Sequence, residues 1–214
     1  MKPLASSVAV LASFTLTTHA VPVAWNGHYY DYFPASGIAW PDADSAARAL
    51  THNGLSGHLA TLTSAEENRF VSTLVDGLES YPGDPKLEDV LAAWVGGYQD
   101  PADEPDPTKG WKWVNGEGAI PMVNGNSPFG NWFTGEPNDW LGPQSENHLS
   151  IWGSAGYGNT IGTWNDEGGP WNISGYLVEY ETAGKLPDVE SPAPLLLLAL
   201  SGLSLTMRRA RSAA

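Results

Sequence analysis

The sequence predicts an α+β domain, in which two helices precede several short strands and one long irregular loop. Helix signals occur between residues 41 and 75, and from about residue 92 the sequence changes to short apolar runs separated by Gly, Pro and Asn. Helices followed by a run of strands are typical of the α+β class. Residues 115–147 have little periodicity but are rich in Trp, Gly, Pro and Asn. We expect them to form an ordered functional loop, because loops this long are otherwise uncommon in compact domains.

Two segments of the first half predict helices. Residues 41–50 place acids in the first turn and alanines along the body, and an Asn-Gly stop follows. Residues 64–75 begin with Ser64, three residues before Glu67, which predicts a capping box, and apolar side chains recur on one helical face. A short apolar run, residues 57–62, separates the two helices.

Five short segments predict strands, because they are apolar or alternating and end at turn residues. They are residues 29–33, 93–98, 111–114, 148–152 and 175–181. We expect the first of these to pair with the last.

The two ends of the chain are expected to lie outside the folded domain. Residues 1–20 contain an early lysine, an apolar run and small residues before the end, which predicts a cleaved secretory signal peptide. Residues 187–214 contain a linker, a hydrophobic segment and an Arg cluster. That segment, at about 13 residues, is shorter than the roughly 17–25 of a usual membrane span. The sequence therefore predicts one domain, residues 21–186, outside the cell or at its surface, with the tail as a sorting signal or membrane anchor.

The C-terminal tail resembles the PEP-CTERM sorting signals of exported bacterial proteins. The resemblance rests on Pro192-Ala193-Pro194, the apolar run that follows, and the basic segment Arg208-Arg209-Ala210-Arg211. The family has Pro-Glu-Pro where this chain has Pro-Ala-Pro. The resemblance implies processing at the cell surface, with transient anchoring to the inner membrane.

The chain has no cysteine and a formal net charge of −14 at pH 7. Without disulfides, stability must come from packing, with a bound metal ion as a further candidate. The charge argues against nucleic acid and anionic membrane surfaces as partners of the domain, because both require a basic face. Cation binding is compatible with it, although the solubility of a secreted protein alone also explains acidity.

Five short motifs are spread over nearly all of residues 21–181: Gly57-His58-Leu59-Ala60, Glu66-Glu67-Asn68, Trp94-Val95-Gly96-Gly97, Gly135-Glu136-Pro137-Asn138 and Trp164-Asn165-Asp166. In this order they resemble the C-type lectin-like domain family. The resemblance implies a C-type lectin-like fold, with two helices, small antiparallel sheets and a long calcium-binding loop. The chain departs from the family by lacking its disulfides, and His148 stands where a cysteine is usual.

The resemblance implies a principal Ca²⁺ site, and the residue types suit one. Ca²⁺ takes roughly 6–8 oxygen ligands, including carboxylates and amide carbonyls. The family's cis bond before proline is expected at Pro137. The resemblance also implies an auxiliary Ca²⁺ site, and Asp139 stands where one of its ligands is expected. Asn147 stands where another acid is expected, so we leave that site unassigned. The ligands expected at the principal site are Glu136, Asn138, Glu146, Asn165 and Asp166.

The resemblance also implies a carbohydrate-binding role for Glu136, Asn138, Glu146 and Asn165. Each of two adjacent sugar hydroxyls can bind the ion, donate to a carboxylate and accept from an amide. In the family, Glu-Pro-Asn accompanies mannose-type or glucose-type sugars, so we expect a glycan of that kind as the partner. The alternative is a calcium-stabilised module used for protein–protein or envelope contacts without sugar.

Enzyme signatures are not found in the sequence, so we expect a binding protein. There is no cysteine nucleophile, no Gly-x-Ser-x-Gly and no phosphate-binding glycine loop. The carboxylate pair of a glycoside hydrolase is defined by a separation in space, which a sequence does not give, so that alternative stays open.

Most tryptophans are expected in the core, because large aromatic side chains dominate burial in small domains. For Trp140 and Trp152 the sequence does not decide between a core and a surface position. The predicted core tryptophans are Trp94, Trp111, Trp113, Trp132 and Trp164.

Overall fold

The structure is a computed structural model. It describes residues 20–76, 78, 91–154 and 161–181. All but the last residue of the predicted signal peptide, and the whole predicted tail, lie outside the described residues. Within the described ranges, no helix is both long enough and apolar enough to cross a membrane.

The α+β fold predicted from the sequence is confirmed. The two helices are α1, Trp40–Arg48, and α2, Ala65–Val75. The strands before α2 are β1, Val23–Trp25, β2, His28–Pro34, β3, Thr51–His52, and β4, Leu55–Leu59. The later strands are β5, Ala92–Tyr98, β6, Lys112–Trp113, β7, Gly125–Asn126, β8, Phe129–Gly130, β9, His148–Trp152, β10, Trp164–Glu167, and β11, Ile173–Glu181.

Strand β11 lies at the centre of the main sheet. It pairs with β2 along one edge, antiparallel, with Glu179 opposite Tyr30. This confirms the predicted pairing of the early aromatic strand with the last one. On its other edge, β11 pairs first with β5, in parallel, and then with β4, antiparallel. The sheet continues from β5 to β9 and β10, so β10 forms the edge next to the long loop.

The capping box predicted at α2 is half formed. The hydroxyl of Ser64 accepts the backbone N–H of Glu67 at 3.1 Å, as expected for an N-cap. The Glu67 carboxylate does not turn back to Ser64. It accepts instead from the backbone N–H of Thr63 at 2.7 Å and from the hydroxyl of Tyr30. This buried phenol competes for the carboxylate and connects α2 to β2.

The tryptophan core is confirmed, and it positions β10. Trp164 makes edge-to-face contacts with Trp113 and Trp132, at ring-centroid distances of 5.8 and 5.9 Å. Its indole N–H donates to the side-chain oxygen of Asn68 in α2 at 2.8 Å. Trp140, in contrast, is 83% exposed. The tryptophans buried as predicted are Trp94, Trp111, Trp113, Trp132 and Trp164.

The long segment 115–147, predicted as loop, contains the short hairpin β7–β8. It is attached to β10 by backbone hydrogen bonds on both sides of Trp132: Trp164 N–H donates to Asn131 and Phe133 N–H donates to Trp164, each at 2.9 Å. The side chain of Asn124 both donates to and accepts from the backbone of Trp132. The loop is therefore held beside β10, a strand that the sequence did not predict.

Candidate functional site

The carboxylate of Asp166 joins the long loop to the sheet. Asp166 lies on β10 and is fully buried. It accepts the backbone N–H of Asn138 with both oxygens, at 3.0 and 2.9 Å, and that of Asp139 at 2.9 Å. Burial raises its pKa. The Glu136-Pro137-Asn138 segment is therefore fixed against β10 by one acidic side chain.

Asp139 shapes the loop between Asn138 and Glu146. Its φ angle is 51°, a left-handed conformation that Asp tolerates better than most residues. Its carboxylate accepts the backbone N–H groups of Gln144 and Glu146, at 2.8 and 3.0 Å. Asp139 is 8% exposed. This side chain folds the loop back so that Glu146 returns toward Asp166, a role that the sequence did not indicate.

Glu146 is a second buried acid of this site. Its carboxylate accepts the backbone N–H of Trp140. Burial, followed by the negative charge of Asp166, raises its pKa to about 7. The Glu146 carboxylate therefore lacks enough positive charge around it, because one backbone N–H does not offset the cost of burial beside other acids.

Glu136 lies next to the same charge. The peptide bond between Glu136 and Pro137 is cis. Burial, and then the carboxylate of Asp166, raise the pKa of Glu136 to about 8. Its Oε2 atom is buried without a hydrogen-bond partner among the described residues. An orphaned carboxylate oxygen facing other acids is the kind of atom that a bound cation satisfies.

Glu167 is a site residue that the sequence analysis missed. It is 6% exposed and accepts the side-chain amides of Asn165 and Asn172, at 2.9 and 2.8 Å. Burial raises its pKa to about 7. The signal was its position two residues after Asn165 on one strand, because alternate residues share a face of the sheet.

The predicted ligands are brought into one neighbourhood. The charges of Asp166, Glu146 and Glu167 each raise the pKa of Glu136, so these acids share one electrostatic environment. The backbone N–H of Asn138 donates a hydrogen bond to Asp166, which holds this residue beside the same acids. Asn165 donates its amide to Glu167, which leaves Oδ1 as its atom able to bind a cation.

The donor set of this site fits a hard divalent cation. It consists of carboxylate and amide oxygens, the ligands that Ca²⁺ takes in proteins. In the described part of the chain, the acids of this site are not paired with Lys or Arg. The one described group of three His or acidic ligand atoms within 4.8 Å of one another lies elsewhere. An ion at this site would therefore have to draw the carboxylates closer together.

His148, which stands where the family usually has a cysteine, packs as an aromatic residue. Its ring stacks on Trp40 with centroids 4.5 Å apart and an interplanar angle of 27°. Burial lowers its pKa to about 4. The neutral imidazole therefore packs the start of β9 against α1 in this chain, which has no disulfide.

Comparison with solved structures places this arrangement in a known fold. The C-type lectin CEL-I from Cucumaria echinata superposes with a TM-score of 0.51 at 18% identity, over 74% of this chain and 93% of that one. This protein has the C-type lectin-like fold. The fold predicted from the sequence is thereby confirmed.

Sequence comparison adds two curated relatives of this C-type lectin-like domain. Halomucin from Haloquadratum walsbyi is 31% identical over 162 residues, which cover 73% of this chain and 1% of that protein. Human C-type lectin domain family 10 member A is 27% identical over 170 residues, covering 78% of this chain and 43% of that protein. The chain thus spans less than half the length of either relative. No protein-family model matches it.

Two exposed tryptophans lie in segments that contact the acids of this site, and we call these segments its rim. Trp140 is 83% exposed, and its backbone N–H contacts Glu146. Trp171 is 60% exposed, and its neighbour Asn172 donates to Glu167. A contiguous exposed apolar surface can mark a binding site, whereas single exposed apolar residues are ordinary.

Proposed function

We propose that this C-type lectin-like domain binds carbohydrate through a bound Ca²⁺ ion, with a preference for mannose-type or glucose-type sugars. The observation that carries the proposal is the contact of Asp166 with the Glu136-Pro137-Asn138 segment. Through backbone N–H groups of the loop, that contact holds the loop segment that carries Glu136 and Asn138 against β10. Two relatives are named as C-type lectins, which supports a lectin function in general.

The ion would be held by side chains of the long loop and of β10, which it would draw closer together. Glu136 supplies an oxygen that has no hydrogen-bond partner among the described residues, and Glu146 and Asp166 add negative charge beside it. Bound Ca²⁺ would supply an electrophilic centre for neutral hydroxyl ligands. The proposed ligands are Glu136, Asn138, Glu146, Asn165 and Asp166.

The sugar would be recognised by pairs of one acid and one amide. A carboxylate accepts a hydrogen bond from a sugar hydroxyl, and an amide N–H donates one to the same oxygen. Glu136 with Asn138 can serve one hydroxyl. Glu146 with Asn165 can serve the next once the Asn165 amide turns from Asp166 and Glu167, to which it donates in the structure. This pairing selects the geometry of two adjacent hydroxyls. An open site of this kind binds one sugar weakly, so display of many copies would raise the avidity.

The proposal includes a location outside the cell or at its surface. Glycans that a lectin can reach are found there. Attachment through the C-terminal tail remains part of the proposal.

A second candidate function is favoured by the exposed apolar residues at the rim. Trp140, Leu141 and Trp171 are 83%, 55% and 60% exposed. Such a surface also suits a protein partner, with the ion serving only to order the loop.

Calorimetric titration with methyl α-mannoside, with and without EDTA, tests the proposal. We expect binding in Ca²⁺ and none in EDTA. The double variant Glu136→Gln with Asn138→Asp should shift selectivity toward a galactoside, since it exchanges which partner donates and which accepts. A rise in melting temperature with Ca²⁺ but no heat with any sugar would favour the protein-contact function. Unchanged sugar selectivity in the double variant would contradict the assigned residues.

A further inference from the structure

A second group of possible metal ligands lies on one face of β2, β11 and β4. Glu179 pairs with Tyr30 on one side and with His58 on the other. Directly opposite residues in antiparallel strands share a face, and so do residues two apart on one strand. Glu181 therefore shares the face of Glu179, and His28 shares the face of Tyr30.

The ligand atoms of this group are already close together. His28 Nδ1 lies 2.5 Å from Glu179 Oε1 and 3.7 Å from Glu181 Oε2. One ligand atom from each residue lies within 4.8 Å of the other two. Ligands of a tetrahedral Zn²⁺ lie at about 2.0–2.2 Å from the ion, so neighbouring ligand atoms are roughly 3–4 Å apart. Small side-chain rotations would satisfy that geometry.

Surrounding side chains hold the two carboxylates in position. Glu179 Oε2 accepts the backbone N–H of Thr61 at 3.0 Å. Glu181 Oε1 accepts from Asn115 at 3.1 Å and lies 3.0 Å from His58 Nε2. Outer hydrogen bonds of this kind orient metal ligands and tune their affinity.

The charge of the group is unbalanced. Glu179 is almost completely buried, and the buried Glu67 shares the hydroxyl of Tyr30 with it. In the described part of the chain, the cationic partners of Glu179 and Glu181 are imidazoles, and the lysine and arginine pairs lie elsewhere. A divalent ion held by His28, Glu179 and Glu181 would bring two positive charges to these carboxylates, where a protonated His28 brings one, and His58 would still pair with Glu181.

We propose that His28, Glu179 and Glu181 form a binding site for a first-row transition metal of the Zn²⁺ type. An imidazole nitrogen suits such ions, whereas Ca²⁺ prefers oxygen ligands alone. The side chains of His28 and Glu181 are 21% and 17% exposed, so the ion has access from solvent and a water molecule can complete its coordination. This site shares no residue with the proposed calcium site, and the inference stands without the proposed function.

Titration of the full chain with Zn²⁺, at saturating Ca²⁺, tests the site. We expect Zn²⁺ to raise the melting temperature. Loss of a partner outside the first coordination sphere costs about 10–100-fold in metal affinity, so His28→Gln, which removes a direct ligand, should cost at least tenfold. Glu181→Gln should weaken binding in the same way. Cobalt(II) as a probe should show visible absorption bands that His28→Gln removes.

Two controls separate this site from others. His52→Gln alters a histidine whose ring contacts Tyr29 and Tyr180, and it should leave Zn²⁺ affinity unchanged. Asp166→Asn impairs the proposed calcium site and should also leave Zn²⁺ affinity unchanged. Equal affinity of His28→Gln and the unmodified protein would overturn the inference, as would absence of Zn²⁺ binding. Loss of Zn²⁺ binding in Asp166→Asn would assign the ion to the long loop instead.

Discussion

Asp166 accepts the backbone N–H of Asn138 with both of its carboxylate oxygens, across a sequence separation of 28 residues. The same carboxylate lies beside Glu136 and raises the pKa of that residue, after the effect of burial. Asp166 therefore has two opposed effects. It orders the loop through hydrogen bonds, and it adds negative charge where other acids are already buried. A cation bound between these acids would offset their mutual repulsion, because it attracts each carboxylate.

Asp166→Asn should remove the stabilisation by calcium. In the unmodified protein, Ca²⁺ at about 100 times its Kd should add about 2.7 kcal/mol to the free energy of unfolding. For a domain of this size that is a rise of several degrees in melting temperature. The variant loses a ligand charge, so its melting temperature should respond little to Ca²⁺. Scanning calorimetry with Ca²⁺ and with EDTA measures the difference. Asp103→Asn, on an exposed loop, is the matched control and should keep the full response.

Asp139→Ala should destabilise the loop although Asp139 is not a proposed ligand. The change leaves the backbone N–H groups of Gln144 and Glu146 without their acceptor. An unsatisfied buried donor costs about 1–3 kcal/mol. We expect urea unfolding to give a loss of that order, together with weaker Ca²⁺ binding, because Glu146 is no longer held in place. A loss no larger than that of Asp103→Ala would show that the loop does not depend on these two bonds.

The sequence predicted features that local pattern determines. The two helices, the pairing of β2 with β11 and the buried tryptophans follow from periodicity, capping residues and side-chain size. The ligand set of the proposed calcium site stays a prediction. Glu167 and the loop-shaping role of Asp139 were missed, since they depend on hydrogen bonds to Asn172 and to loop backbone that only the folded chain creates. Strand β10 was missed because its polar sequence has no apolar alternation.

Glu167→Gln should stabilise the calcium-free protein and weaken its affinity for calcium. Glutamine keeps an oxygen that accepts from Asn165 and Asn172, so the hydrogen bonds survive. It removes one buried charge whose repulsion acts on Glu136 and Glu146. In EDTA at pH 8 the variant should melt at a higher temperature than the unmodified protein. In calorimetric titration with Ca²⁺ it should bind more weakly. A lower melting temperature in EDTA would show that repulsion at this site is not the dominant effect.

Trp140→Ala and Trp171→Ala should reduce sugar binding without changing stability. Both indoles are mostly exposed, so their removal costs the fold little. Aromatic rings beside a sugar site provide an apolar face for the ring carbons, and their loss should lower affinity several-fold. Glycan-array binding and thermal melting give the two measurements. Trp164→Ala is the contrasting control, since it empties a core position and should cost about 3–5 kcal/mol. Unchanged glycan binding in both surface variants would assign these tryptophans to another partner.

Glu67→Gln should make stability less dependent on pH. Burial, followed by the charge of Glu179, raises the pKa of Glu67 to about 7. A carboxyl group whose pKa is higher in the folded than in the unfolded state stabilises the fold below the unfolded pKa. That contribution is lost as the pH rises through about 7. Glutamine can accept from Thr63 with its oxygen and donate to Tyr30 with its amide, so both contacts survive without a titratable group.

Urea unfolding in EDTA between pH 5 and pH 8 measures this effect. The unmodified protein should lose stability over this range, and Glu67→Gln should lose less. Glu66→Gln, at an exposed position on the same turn of α2, should retain the full slope. Equal slopes for Glu67→Gln and the unmodified protein would mean that Glu67 is ionised in the folded state throughout this range. The contacts of Glu67 with Thr63 and Tyr30 would then offset the cost of burying its charge beside Glu179.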